Sequence, residues 1–460
     1  MSISTPPLHY AATYGLLDIV SSIMIETKLI NEQNKNGDTP LMLAIFYGHV
    51  EVAKMLLEQL NDVDQKGIHD DTPLHIAAEK GWLDIVQTLL TKAKLINEQN
   101  QNGETPLMVA IYHGHVEIAV ELLKQIYDVD QKSRNEDTPL HHAAENGWLD
   151  IVEILLTKTK LINEQNNKGC TPLMLAILNG HDEVTKVLLV QLNDVDQKSR
   201  NDNTPLHIAA VKGWLDIVKT LLTKAKLINE QNDKGHTPLM LAKGHGHVKV
   251  AMVLEQMIYV YQKHDNGSTP LHIAAQKGWL DIVEILLTNT KLVNEQNHEG
   301  YTPLWLALLY DHFKIAEMLV SKIANVDEII IDGEPLLHYA SRLNLLDIVF
   351  DILSKTDRIN EPNSWGRTPV MLAILNHHIK VAIALLSQID VDQIDVDGNT
   401  PLHYAAREGL IYIVRYIFTL TTRINVTNKS GKTALALAQQ NCHAETAELL
   451  QAQASNLGLG

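Results

Sequence analysis

Thr105-Pro106-Leu107-Met108-Val109-Ala110, followed after a short gap by Gly114-His115-Val116-Glu117-Ile118-Ala119, decides the architecture of this chain. A close variant stands just upstream: Thr72-Pro73-Leu74-His75-Ile76-Ala77-Ala78, then Gly81-Trp82-Leu83-Asp84-Ile85-Val86. Such blocks recur about fourteen times at intervals of about 33 residues, and the two variants alternate strictly. They are called Met-type and His-type below, after the residue that follows Thr-Pro-Leu. The duplicated unit is therefore a pair of about 66 residues, and the close match of Thr72–Asp137 to Thr138–Asn203 points to growth by duplication. A period of this size predicts a stacked solenoid, in which each repeat buries its apolar faces only against its neighbours.

One unit, Asn100 to Lys132, shows why. Asn100-Gln101-Asn102-Gly103-Glu104 has the residues of a tight tip, because Asn and Gly tolerate left-handed backbone angles. Thr105 stands where an N-cap belongs and Pro106 at the first helical position. Leu107, Ala110 and Ile111 give a first short helix its apolar face. Gly114 permits a reversal, and Ile118, Ala119, Leu122 and Leu123 repeat at helical spacing through a second helix. Glu117 lies in the first turn of that helix, where the helix dipole favours a negative charge. The chain then leaves through Asp128-Val129-Asp130 toward the next tip.

Tip glycine, Thr-Pro-Leu-His, Ala-Ala, Gly-His and a Leu-Leu pair together resemble the ankyrin repeat family, over residues 1 to about 450. The resemblance implies an all-α repeat solenoid of stacked helix-turn-helix units with β-hairpin loops, in a curved elongated array. The expected organisation is one array over 1–460, with 432–453 as a carboxy-terminal capping repeat and 454–460 as a tail. Gln439, Gln440, Asn441, Glu445 and Glu448 give that last repeat a polar surface. Where the family closes its second helix with Gly, this chain has Ala93, Thr159, Ala225, Thr290 or Ile126. Lys92 and Lys94 lie near such a helix end, where a cation suits the dipole. Two repeats lack one residue, near Leu254 and near Ile389, which predicts locally altered twist.

The 460 residues carry a net charge of −17, with 45% hydrophobic and 20% charged residues. Nucleic-acid binding leaves a basic footprint that this composition lacks. An acidic surface also disfavours anionic membranes, and no apolar run approaches the length of a membrane span. Cys170 and Cys442 are too few and too far apart for a disulfide framework. No secretory leader precedes the first repeat. The expectation is a monomer in the cytoplasm, or in a host cytosol if the chain is a delivered effector, with protein partners, no nucleic acid and no membrane.

The 22 histidines invite a metal or general-base reading, but their places in the repeat argue otherwise. His9, His75, His141, His207, His272, His338 and His403 fill the Thr-Pro-Leu-His slot. His49, His115, His181, His247, His312, His378 and His443 fill the Gly-His slot. In the family both slots bond to backbone in adjoining turns, so the resemblance implies the same structural role here. His245-Gly246-His247 and His377-His378 lack Cys or carboxylate partners at metal spacing. Cys442-His443 occupies the Gly-His slot of the last repeat, and sequence neighbours seldom form a catalytic pair. No phosphate loop or metalloprotease signature occurs. The reading is no enzyme, with no catalytic residues, no metal and no cofactor.

Trp82, Trp148, Trp214 and Trp279 recur directly after Gly, where Leu16, Leu345 and Leu410 stand in other copies. That exchange favours packing over a ladder for stacking ligands. Trp365 is different, because it lies at a tip where other copies place Asn102, Lys168 or Lys234. Ankyrin arrays bind through the concave face made by tips and first helices, which implies a contact patch from Tyr301 through Leu309, Tyr310, Ile331 and Trp365 to Leu375. The alternative there is idiosyncratic packing. A second zone comprises Tyr14, Phe46, Tyr47, Ile68, Tyr112 and His113, whereas middle copies carry Glu79, Asn146 and Asn179. The functional expectation is a non-catalytic protein-interaction scaffold. An effector of an intracellular bacterium acting on host proteins through the same array is the alternative, and an enzyme with a Cys442/His443 site the remote third.

Overall fold

The computed structural model describes residues 6–26, 30–262, 264–289, 293–331 and 333–457. Thr290 and the last three residues of the 454–460 tail lie outside them. Among the described residues the chain forms 28 α-helices and one two-stranded hairpin. It divides into two compact units, Met1–Ile258 and Tyr259–Gly460.

Each repeat is a helix pair, here Pro106–Tyr112 and Val116–Gln125. Thr105 caps the first helix by accepting the Met108 N–H at 3.3 Å, and Pro106 takes the position whose N–H has no helical partner. Gly114, at φ +79°, turns the chain, and the His115 N–H bonds back to the Ala110 carbonyl at 2.9 Å. Leu107, Met108, Ala110 and Ile111 are buried with Ile118, Ala119, Leu122 and Leu123. Burying each Leu or Ile stabilises the stack by about 1.5–3 kcal/mol. Alanines at 0% exposure, such as Ala77, Ala110 and Ala143, let neighbouring first helices approach closely.

The tips stack on one another. The Arg134 N–H bonds the Asn102 carbonyl at 2.7 Å, and Asn167 bonds Asn135 at 2.8 Å. Within a tip, Asn100 Oδ1 accepts from the Asn102 and Glu104 N–H groups, and Asn100 Nδ2 donates to Asp71 Oδ1 at 2.9 Å. Asn166, Asn232, Asn297, Asn363 and Asn428 make the equivalent reach to the preceding tip. Side-chain bonds thus do most of what a second backbone rung would do. Among the described residues only Ile330–Ile331 pairs with Glu334–Pro335 as strands.

Lysine near the second-helix end acts across repeats. Lys92 Nζ donates to the Leu57 and Leu60 carbonyls, at 2.5 and 3.0 Å, and so caps the second helix of the preceding repeat. Lys158, Lys224 and Lys355 repeat the contact. The exit aspartates complete the junction: Asp64 accepts from the Lys94 and Leu95 N–H groups, as Asp196 does from Lys226 and Leu227.

The two shortened repeats adjust differently. Near Leu254 the second helix lengthens to 13 residues, Val248–Val260, and the unit boundary falls inside it. Near Ile389 the second helix shortens to eight residues, Ile379–Leu386. Asn360 Nδ2 still reaches the Asp390 carbonyl at 3.1 Å, as Asn97 reaches Asp128 at 2.8 Å, so the junction survives.

Candidate protein-binding surface

The histidines are held by the frame. His75 Nδ1 accepts the Thr72 N–H at 3.1 Å, which leaves Nε2 to donate to the Glu104 carbonyl at 3.0 Å. His141, His207, His272 and His403 repeat both contacts. Burial lowers the pKa of all five, that of His141 to about 4, so the rings are neutral near pH 7. In two copies proline replaces the threonine cap. Pro6 and Pro335 offer neither hydroxyl nor N–H, and Nδ1 of His9 and of His338 is buried without a hydrogen bond. A cleft of about 240 Å³ opens beside Pro335, lined also by Val326, Ile330, His338, Ile352 and Arg358. In the Gly-His slot, Nε2 of His49, His115, His181, His247, His312 and His378 bonds a carbonyl of the preceding repeat, for example Glu79 at 2.9 Å from His115.

Burial raises the pKa of the half-buried Cys170 thiol, and the exposed Cys442 holds φ +62° in a turn. Among the described residues no three His, Cys, Asp or Glu side chains converge on a metal position. No helix among them is long and apolar enough to cross a membrane. The recurrent tryptophans pack: a Cβ on Gly48, Gly114 or Gly180 would come within 3.3, 3.1 and 3.7 Å of Trp82, Trp148 and Trp214. Trp148 Nε1 donates to the Ile111 carbonyl at 3.1 Å, and Trp279 meets Tyr259 edge-on at 5.6 Å.

The amino-terminal zone lies open to solvent. Tyr14, Phe46, Tyr47, Tyr112 and His113 stand exposed at the ends of first helices, and Ile68 is exposed at a tip. Phe46 and Tyr47 meet edge-on at 5.2 Å, with Lys80 Nζ 4.2 Å above the Phe46 ring. Tyr112 meets His113 at 5.3 Å and the buried His142 at 6.0 Å. Both nitrogens of His142 lack a hydrogen bond, and its pKa is lowered by burial.

The carboxy-terminal candidates are separate positions along successive repeats. Leu309 and Tyr310 are exposed, and the Tyr310 hydroxyl accepts from Gln276 Nε2 at 3.1 Å. Trp365 is 55% exposed and Leu375 half-buried. Tyr301 is half-buried because it stacks on Trp305, with centroids 3.9 Å apart and planes within 5°. Ile331 corrects the expectation. It is 2% exposed, since alternation along the Ile330–Ile331 strand turns Ile330 outward and Ile331 inward. Ile331 therefore belongs to the core.

Sequence reasoning passed over Trp305 and an arginine–tyrosine cluster. Trp305 was legible as the one aromatic in the slot of Met108 and Met174. The cluster was legible in Leu337-His338-Tyr339-Ala340-Ser341-Arg342 and its counterpart Leu402-His403-Tyr404-Ala405-Ala406-Arg407. Tyr404 is buried, donates to Asp395 Oδ2 at 2.6 Å and receives Arg367 Nε at 3.0 Å. Burial and the Asp395 carboxylate push its phenol up to about 12.

The chain matches a family model described as ankyrin repeats (3 copies) over 3–67, 60–133, 119–198, 189–260, 251–329 and 337–428. Among curated proteins it is 30% identical to mouse (Mus musculus) Rabankyrin-5 over 175 residues, which is 37% of this chain and 15% of that protein. It is 31% identical to the ankyrin repeat protein nuc-2 of Neurospora crassa over 188 residues, 40% of this chain and 18% of that one. It is 32% identical to a putative palmitoyltransferase, ZDHHC13 of Danio rerio, over 188 residues, 39% and 29% respectively. The aligned part is thus under a third of each relative. With the capped helix pairs, the histidine bonds to neighbouring turns and the stacked tips all in register with those matches, the chain belongs to the ankyrin repeat family.

Proposed function

We propose that this chain is a non-catalytic scaffold, a cytoplasmic monomer that binds partner proteins across the face formed by its first helices and tips. One observation carries the reading. Phe46, Tyr47, Tyr112 and Trp365 are exposed aromatics where other copies place Glu79, Asn146, Asn179 or Lys168. Exposed aromatics are enriched at binding hot spots, and ankyrin repeats are generally protein-interaction modules. Catalysis is left out of the proposal because most repeat histidines are spent on backbone carbonyls of adjoining turns and burial raises the pKa of the Cys170 thiol.

The test is affinity capture with cross-linking, using the full chain as bait alongside Phe46→Ala, Trp365→Ala and a control, Glu153→Ala, on a second helix. Partners cross-linked to the tip-and-first-helix face should drop out with Phe46→Ala or Trp365→Ala and persist with the control. If both aromatic variants keep every partner, this surface is not the binding face.

A further inference from the structure

Three of the chain's eight arginines gather on the first-helix and tip surface of the Tyr259–Gly460 unit. Arg342 and Arg407 occupy the same slot two repeats apart, the slot held by Phe46 and Tyr112 elsewhere and by Leu375 in the repeat between them. Arg342 lies 5.1 Å from the Tyr339 ring centre and Arg407 4.8 Å from that of Tyr404. Arg367 reaches the same Tyr404 from the neighbouring tip, next to the exposed Trp365. Tyr339 and Tyr404 are buried, so the guanidinium groups themselves form the surface.

Each arginine is anchored in the same way. Arg342 bonds Glu334 at 3.3 Å, Arg367 bonds the Tyr404 hydroxyl at 3.0 Å and Arg407 bonds Glu408 at 2.9 Å, always through Nε. Among the described residues these are their only side-chain hydrogen bonds, which leaves the Nη groups without a partner there. Among the described residues, the carboxylates that touch this cluster are occupied. Asp395 is buried and accepts from Tyr404 and from the Asp397 and Asn399 N–H groups, Glu334 holds Asn363 and Arg342, and Glu408 holds Arg407 and His377. A guanidinium stacked on an aromatic ring and fixed through Nε is preorganised for planar, bidentate recognition of a carboxylate.

We propose that this row binds an extended acidic peptide segment of a partner protein, reading carboxylate, apolar side chain and carboxylate at Arg342, Leu375 and Arg407. The inference rests on the scaffold reading above and names the chemistry for this part of the face. Repeats stack at roughly 8–10 Å, which an extended chain covers in about three residues. The matching pattern is therefore acidic at i, apolar at about i+3 and acidic at about i+6. The net charge of −17 repels such a segment at long range, so recognition depends on short contacts rather than on steering.

The probe is a fluorescein-labelled peptide, Glu-Gly-Gly-Leu-Gly-Gly-Glu, titrated with the full chain by fluorescence polarisation. Its comparators are the same peptide with both Glu replaced by Gln, and Glu-Gly-Leu-Gly-Glu with compressed spacing. The first should bind tightest and weaken as salt is raised. Arg342→Gln and Arg407→Gln should each weaken it about tenfold, with unchanged circular dichroism. Arg342→Lys and Arg407→Lys keep the charge but lose the fork, and should not restore binding. Equal binding of the Glu and Gln peptides, or lysine variants that match wild type, overturns the proposal. If Trp365→Ala abolishes partner capture while the arginine variants retain it, the scaffold reading stands and the acidic-segment inference falls.

Discussion

Replacing His141 with Met should flatten the acid sensitivity of its repeat. Burial holds His141 at about 4, against 6.5 for an ordinary histidine, with the Asp137 carboxylate and the Cys170 carbonyl only partly offsetting the desolvation. The hydrogen bonds give a second reason, because a proton on Nδ1 would point at the Thr138 N–H that Nδ1 now accepts at 3.1 Å. A lowered folded value means that the folded state binds fewer protons than the unfolded chain. Stability is therefore full above pH 6.5 and falls as pH drops toward 4. The loss amounts to about 2 kcal/mol at pH 5 and about 3 kcal/mol below pH 4. Methionine is the natural comparator, since Met108 and Met174 fill the same slot and are buried in the flanking repeats. The variant gives up the bond to Cys170, so its stability at pH 7 should be lower. The diagnostic is the slope. Hydrogen-exchange protection of the amides in Pro139–Asn146 should fall by about 2 kcal/mol more in wild type than in His141→Met between pH 7 and 5. The neighbouring His142, itself lowered by burial, also disfavours a charged His141 and is one cause of its low value. Equal losses in the two would refute the assignment of the acid response to His141.

Three further outcomes follow from contacts between repeats. Lys355→Met removes donors to the Val320, Ser321 and Ile323 carbonyls and should cost about 1–2 kcal/mol, read as faster amide exchange at the end of Phe313–Lys322. Pro335→Thr supplies the missing cap and a partner for His338 Nδ1, and should stabilise the helix Leu336–Arg342 by about 1 kcal/mol, read from its exchange protection. Excising residues 138–203, a whole pair, should leave the urea midpoint near that of wild type. Excising 138–170 alone removes the Lys158 cap on the Ile126 carbonyl and the packing of Trp148 on Gly114, and should lower it.

The fold was legible because its signals are local and agree with one another. Thr caps, N1 prolines, turn glycines and 3.6-residue periodicity sit within single repeats, and each gave its helix to within a few residues. What was not legible acts between repeats. Lys92 near its own helix end suggested self-capping, yet the stagger of the stack carries its ammonium to the previous helix. Ile331 read as part of the contact patch, but alternation in a two-residue strand decides its side. Trp365 and Tyr112 were singled out because they break the repeat, and both are exposed. Arg342 and Arg407 were passed over although their matching stretches stand in the sequence, because the burial of the tyrosine beneath each arginine shows only in the structure.

The pairwise period itself has a physical basis in two chemically different interfaces. Where a Met-type repeat follows a His-type one, the junction is polar: His75 Nε2 reaches forward to the Glu104 carbonyl, and His115 Nε2 reaches back to the Glu79 carbonyl. The His115 ring also fills the space over Gly81, where a Cβ would come within 2.6 Å. Where a His-type repeat follows a Met-type one, the junction is aromatic and cationic: Trp148 covers Gly114, Lys158 caps the Ile126 carbonyl, and Asp130 accepts the Lys160 N–H and the Thr159 hydroxyl. Neither set can be made between two repeats of the same type without losing part of it. Duplication of a single repeat would leave one such mismatched junction, whereas duplication of a pair reproduces both. A stack built from alternating junctions is thus held in register by chemistry as well as by shape, and it lengthens by two repeats at a time.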